Sequence, residues 1–270
     1  MPTLVDVHDP DDPRIEAYRD IRERDLVGRA GLFVAEGKVV VEKLVGSALH
    51  RPISILIAGK RLDALGPLLA RLPDDVPVFV AAQPVLDVIA GFPMHRGILA
   101  IGRRVDTPAA DAVLAGLHGS ADVLLLSGIA NHDNMGGVFR NAAAFGAAAV
   151  LLDADCCDPL YRKAIRVSVG AALLVPFARV TRGDDPLKLL ERHGFDPVAL
   201  SPAGATVLTD WRPGSRNAVL LGAEGPGLDP ELIGRTRSLR ITMTGEFDSL
   251  NVATTSGIVL HHLATADRLE

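Results

Sequence analysis

The chain has 270 residues, 48% of them apolar, a formal charge of −5 and two cysteines, adjacent at Cys156 and Cys157. That length suggests about two domains with a full core in each, no run approaches the ~18 apolar residues of a membrane span, and adjacent cysteines offer neither a disulfide framework nor metal-ligand spacing. The polar, acidic start MPTLVDVHDPDDPR lacks a signal-peptide core, so a cytoplasmic protein with no membrane segment and no metal is expected; the negative charge argues against bulk coating of nucleic acid but allows a local basic patch.

Residues 1 to about 30 read as a helical lead-in with a charged, solvated surface. From Gly31 to about Arg104, apolar runs alternate as in a small α/β domain. Helical spacing covers 36–49, a strand 53–58, a helix 62–72, a strand 76–80, a short helix 84–90 and a strand 97–101. Pro108, Gly116 and Gly119 mark a joint. The expected division is therefore 1–105, a linker at 106–120, and a second domain at 121–270.

The second domain opens with ADVLLLSGI at 121–129, the nearly unbroken apolar run of a parallel strand buried on both faces. The polar loop 130–134 and a helix at 135–145 ending at Gly146 follow. A buried strand at 148–152, a helix over 158–172 and a strand over 173–177 continue the alternation. Then come a helix at 186–193 and strands at 197–201 and 217–221. Gly222 to Leu228 form a glycine-rich turn before a helix at 230–234. A short strand-like run from Arg240 leads through Gly245 to Ser249, Leu250 and Asn251, just before the last helix.

Three polar or glycine-rich loops thus lie at strand ends, which is where an open parallel sheet places its ligand crevice. Each also has a structural reading. Asn134 beside a helix start is a candidate N-cap, as are Ser249 and Asn251. Arg140 is either an amphipathic edge residue or a pocket cation. The second loop runs Gly-x-x-Gly-x-Gly, neither the dinucleotide fingerprint nor a P-loop. His261, His262, Cys156, Cys157 and Trp211 read as packing or surface residues.

Taken in order, Asn134-x-Gly136-x-x-x-Arg140, Leu221-Gly222-Ala223-Glu224-Gly225-x-Gly227-Leu228, and Ile241-x-Met243-x-Gly245 leading into Ser249-Leu250-Asn251-Val252 resemble the SpoU (TrmH) family of RNA ribose 2′-O-methyltransferases, within the SPOUT superfamily. The catalytic resemblance covers roughly 121–270. Arg166-x-Ser168-x-Gly170-Ala171 resembles a further family stretch, and Val34-Ala35-Glu36-Gly37 resembles the start of the family's ribosomal-protein-like substrate-binding domain. The resemblance implies an α/β domain with a parallel sheet and a deep trefoil knot, a homodimer, and S-adenosylmethionine held by Gly222, Ala223, Gly225, Ile241, Met243 and Leu250. Arg140, Asn134, Glu224, Ser249 and Asn251 would form the catalytic pocket. His132, Gly137, Asn141 and Thr242 stand where the family more often has Pro, Ala, Thr and Pro.

The implied reaction is attack of a ribose 2′-oxygen on the sulfonium methyl, in structured RNA, with ribosomal RNA favoured over transfer RNA by analogy. The family's arginine is often proposed as the base. A guanidinium is essentially never neutral in proteins, so stabilising the 2′-alkoxide while gripping a phosphate is an equally physical role for Arg140. Arg14, Arg19, Arg22, Arg24, Arg29, Lys38 and Lys43 are candidates for RNA contact by shape and backbone. A non-catalytic RNA-binding factor on the same fold is the alternative. A nucleotide-dependent oxidoreductase is disfavoured by the missing G-x-G-x-x-G.

Overall fold

The computed structural model describes residues 2–19, 31–91, 93–94, 96–105, 108–245 and 249–266. Two compact units emerge: Met1–Asp106 with Leu160–Leu174, and Thr107–Pro159 with Val175–Glu270.

The first unit is a mixed sheet in the order β1-β4-β3-β5-β2. Its elements are β1 (Leu4–Val7), β2 (Leu32–Glu36), helix α1 (Lys38–Val45), β3 (His50–Ala58), α2 (Leu62–Leu69), β4 (Val78–Ala81), α3 (Gln83–Ala90) and β5 (Ile98–Arg104). The lead-in is helical only in part where it is described, and as 3-10 rather than α-helix. Leu4–Val7 pairs in parallel with β4, and Pro13–Tyr18 is a short 3-10 turn whose Tyr18 hydroxyl shares a buried 2.7 Å hydrogen bond with Ser54. Arg22, Arg24 and Arg29 lie outside the described residues.

Residues 160–174 carry a short helix, Arg162–Val167, where the sequence predicts a longer one over 158–172. Val169 stops it with φ 53, a conformation that a β-branched residue rarely adopts. Gly170 follows at φ 78 and sits against Val40 and Lys43 of α1. Lys43 Nζ donates to the Val169 carbonyl (2.6 Å), Ser47 Oγ to that of Leu173 (2.7 Å), and Arg162 to Glu36 (2.6 Å).

In the second unit, helix α4 (Ala110–Ala115) falls within the stretch read as a joint, and its Ala110 and Leu114 are buried in the core. The strands are β6 (Ala121–Ser127), β7 (Ala149–Leu152), β8 (Phe177–Arg179), β9 (Asp196–Leu200), β10 (Thr206–Val207), β11 (Arg216–Gly222) and β12 (Arg237–Arg240). The sheet order is β10-β12-β9-β11-β6-β7-β8, with every pair parallel. After β8 the chain crosses to the other side of β11, so the winding reverses beside the central β6–β11 pair. Their Val and Leu side chains are buried on both faces, which explains the unbroken apolar runs. Asn217, fully buried near the start of β11, pins the register of that pair, donating to Asp122 (2.8 Å) and the Gly214 carbonyl (2.9 Å) while accepting from Gly214 N.

Candidate active site

Gly222 at the end of β11 is the register partner of Ser127 at the end of β6, so the two following loops leave the sheet side by side. A Cβ placed on Gly128 would lie 3.3 Å from that of Ala223. The second loop folds back on itself, with Gly227 N donating to the Ala223 carbonyl (3.0 Å) and with Gly225 and Gly227 at φ 89 and 72. A Cβ on Gly222 would sit 2.2 Å from Gly227 C and 2.3 Å from Leu228 N. Glycine is therefore required there by backbone approach.

Helix α5 (His132–Phe145) begins behind the β6 loop; after the short helices α6 (Arg162–Val167), α7 (Pro186–Arg192) and α8 (Pro230–Gly234), α9 (Val252–Thr265) is the last described helix. The cap of α5 is Asn131, whose side chain accepts from Asp133 N and Asn134 N; this corrects the reading of Asn134 as a cap. Asn134 is buried within the first turn, as the third helical residue. Asn251 does cap α9, its Oδ1 accepting from Ala253 N (2.9 Å) and Thr254 N (3.2 Å). Its Nδ2 donates to Asn134 Oδ1 and to Glu224 Oε1, each at 2.8 Å.

The two backbone N–H groups fix which amide atom of Asn251 is oxygen, so its Nδ2 must be the donor. Asn134 in turn must present its carbonyl to Asn251, which leaves the Asn134 amide N–H groups for another acceptor. One cap residue thus orders a buried amide on α5 and a carboxylate on the glycine-rich loop.

Beside this junction is a cavity of about 510 Å³. Gly222, Ala223, Gly225, Ile241, Met243 and Leu250 all line it, as do Glu224, Ser249 and Asn251. β12 ends at Arg240, so Ile241 and Met243 are loop residues and not part of a strand. Glu246–Asp248 lie outside the described residues.

Asn134 and Arg140 are not in that cavity wall. Asn134 reaches it through Asn251. Arg140 is exposed on α5 and lines a shallow open groove with Gly137, Thr254, Gly257 and Ile258 of the α5–α9 face. The structure therefore brings four of the five expected catalytic residues together and leaves the arginine on a neighbouring face.

Two of the sequence's departures from the family pattern meet at the α5–α9 contact. A Cβ on Gly137 would lie 2.6 Å from that of Ala253. Asn141 Nδ2 donates to the Ala253 carbonyl (2.6 Å) and to Ser256 Oγ (3.0 Å). Sequence reasoning marks Asn141 as an anomaly and misses these hydrogen bonds, which no local pattern signals. Pro202 and Thr255, also in the cavity wall, carry no sequence signal either. His261 packs edge-on against Phe145, and His262 stacks on buried Trp211, as packing roles require. Cys156 is buried with its thiol donating to the Leu126 carbonyl (3.3 Å), and burial pushes its pKa up to about 12. Among the described residues, no group of three or more His, Cys, Asp or Glu side chains is arranged to hold a metal ion.

Residues 122–261 match the model of the SpoU rRNA Methylase family. The chain is 38% identical over 272 residues to an uncharacterized tRNA/rRNA methyltransferase of Mycobacterium bovis, covering 96% of this chain and 91% of that one. It is 30% identical to the 23S rRNA (guanosine-2′-O-)-methyltransferase RlmB of Vibrio parahaemolyticus, over 76% of this chain and 85% of that one. The crystal structure of an AdoMet-bound rRNA methyltransferase from Sinorhizobium meliloti has the same fold, with a TM-score of 0.80 at 22% identity over 96% and 97% of the two chains. The SpoU methyltransferase AviRb of Streptomyces viridochromogenes gives 0.78 at 20% identity over 94% and 97%. With its motifs gathered at one end of a parallel sheet, this chain belongs to the SpoU family of RNA methyltransferases.

Proposed function

We propose that the chain is an S-adenosylmethionine-dependent methyltransferase acting on a ribose 2′-hydroxyl of structured RNA, ribosomal RNA ahead of transfer RNA. The observation that carries this reading is the Asn251 junction, which ties Asn134 and Glu224 together at the edge of the cavity. The 30% identity to a 23S rRNA 2′-O-methyltransferase supports the ribose and the ribosomal target.

The cavity suits the cofactor. Ile241, Met243 and Leu250 offer apolar surface for a purine, and the Gly222–Gly227 loop offers backbone polar groups at close approach. When bound, the cofactor supplies a sulfonium methyl already activated for transfer, so the chain's own residues have to align the acceptor and manage one proton. Asn251 orients Asn134 and Glu224 beside Ser249. Arg140, as a fork-shaped cation, grips an RNA phosphate and stabilises charge developing on the 2′-oxygen.

Arg140 stands apart from the cavity on an open face rich in small residues, with Gly137 and Gly257 beside an exposed Ile258. That arrangement favours a homodimer joined across the α5–α9 face, in which the arginine meets RNA at a site the two copies share. The same reading includes a trefoil-knotted path for the chain between Gly222 and Val252, an RNA-binding role for 1–105 ahead of a catalytic 121–270, and a cytoplasmic location.

The test is calorimetry with S-adenosylmethionine and S-adenosylhomocysteine, followed by methyl transfer to deproteinised 23S rRNA. Binding near micromolar and label in alkali-stable dinucleotides are expected. Label on a base would overturn the ribose assignment. A folded protein that binds neither compound would instead be a non-catalytic RNA-binding factor.

A further inference from the structure

In the first unit, two tight turns lie at the same end of the sheet, where Gly37 N donates to the Ile98 carbonyl (3.1 Å) and Ala58 N to that of Gly97 (3.0 Å). Both turns use a left-handed glycine, Gly37 at φ 91 and Gly97 at φ 63. Each glycine makes room for an arginine. A Cβ on Gly37 would lie 2.9 Å from Arg96 Cδ, and one on Gly97 would lie 3.1 Å from Arg61 Cγ. Arg61 Nη2 also reaches the Arg96 carbonyl at 3.5 Å, so the two side chains are seated on adjoining backbone.

Their charges are not matched nearby. Arg14 and Arg19 face Asp12 and Asp11, Arg51 faces Asp75 and Arg162 faces Glu36, whereas among the described residues Arg61 and Arg96 have no carboxylate partner. Arg61 Nε is out of contact with solvent on the side of Gly97, so the guanidinium is anchored along its inner edge. Exposed Lys60 adjoins Arg61 and adds to the positive charge there, whereas Lys38 beside Gly37 is paired with Glu42 at 3.7 Å.

We infer that this sheet end, built on Gly37, Gly97, Arg61 and Arg96, is a binding site for the phosphodiester backbone of the RNA substrate. The inference rests on the RNA reading above and adds a location outside the arginine-rich lead-in. Two guanidinium forks held against glycine turns suit phosphate oxygens, and a site of this kind reads backbone shape, not base identity.

The test measures affinity for deproteinised 23S rRNA as a function of salt, for the full chain and for Arg61→Gln/Arg96→Gln. The double variant is expected to bind about ten-fold or more weakly, with a salt slope shallower by about 1.4, at ~0.7 for each phosphate no longer neutralised on single strands. Its affinity for S-adenosylmethionine should be unchanged, and Arg192→Gln, which removes a surface cation of the second unit, should leave the RNA slope as it was. Arg61→Lys/Arg96→Lys keeps the charges and guards against misfolding; its slope should stay near that of the wild type. Equal slopes for the wild type and the Gln variant would overturn the site while leaving the methyltransferase reading intact. A wild type that binds RNA through these arginines but transfers no methyl would do the reverse.

Discussion

Asn141 and Asn251 grip opposite sides of one residue: Asn251 accepts the Ala253 N–H at 2.9 Å, and Asn141 donates to the Ala253 carbonyl at 2.6 Å. Ala253 also packs against Gly137 of α5, where an added Cβ would lie 2.6 Å from its own. Asn141 immediately follows Arg140, so the register that positions the arginine's helix is set on the same peptide that Asn251 caps.

Asn141→Ala should therefore act on turnover and not on cofactor affinity. We expect kcat for RNA methylation to fall about 10–100-fold, with about 1–2 kcal/mol of stability lost from the broken hydrogen bonds. Calorimetry should return an unchanged Kd for S-adenosylmethionine, since Asn141 is not in the wall of the cavity proposed to hold it. A proportional loss of both would mean the variant is simply unfolding.

Asn251→Asp separates the two jobs of that residue. A carboxylate still caps α9, but it cannot donate to Asn134 and it faces Glu224. Methyl transfer should drop on the order of 100-fold, with a melting temperature within a few degrees of the parent. Activity close to that of the wild type would remove the junction from the mechanism.

Arg140→Lys retains charge and loses the fork. Single-turnover methylation should slow by about 100-fold or more, whereas cofactor binding, which we propose for a cavity that Arg140 does not line, should be untouched. Near-normal single-turnover rates with unaltered RNA binding would assign the chemistry to other residues.

Gly222→Ala and Gly225→Ala probe the loop in different ways. The first drives a Cβ into the Gly227–Leu228 peptide and should destabilise the fold by about 2–4 kcal/mol, because backbone must move. The second meets nothing within 4 Å but is strained at φ 89, and about 1–2 kcal/mol is expected. Denaturant melts would rank the two, and the reverse order would contradict the described loop path.

His50 is buried edge-on against Phe33 with neither ring nitrogen hydrogen-bonded, and burial together with the Arg104 charge lowers its pKa to about 4. A histidine in the unfolded chain titrates near the ordinary ~6.5. As pH falls through that value the unfolded state takes the proton first, so stability is full above about 6.5 and is lost progressively towards about 4. The loss should approach about 2–3 kcal/mol and be absent in His50→Leu, read from urea melts at several pH values. An equal pH dependence in both proteins would show that His50 is not the group responsible.

The buried strands β6, β7 and β11 are plain in the sequence because their residues are apolar on both faces. β1 is not: four residues, LVDV, bounded by threonine and histidine, become a strand only by pairing with β4. The helix predicted over 158–172 is cut short by Val169 and Gly170, whose backbone follows from packing on α1. Glu224, Asn134 and Asn251 are found through the order of the motifs, since residues 117 and 27 positions apart have no shared periodicity. That Arg140 lies in a groove outside the cavity wall is invisible in one dimension, because it depends on how α5 is rotated against α9.

Residues 160–174 lie between β7 and β8 in sequence yet belong to the unit that precedes both. The polypeptide therefore passes from one unit to the other three times, and no single cut yields two complete modules. A recombinant fragment beginning at 121 would carry this segment without Glu36, Lys43 and Ser47, the groups that hold it. Swapping the amino-terminal half for that of a cousin would strand it in the same way. Grafting experiments on this protein should move 1–106 and 160–174 as one cassette.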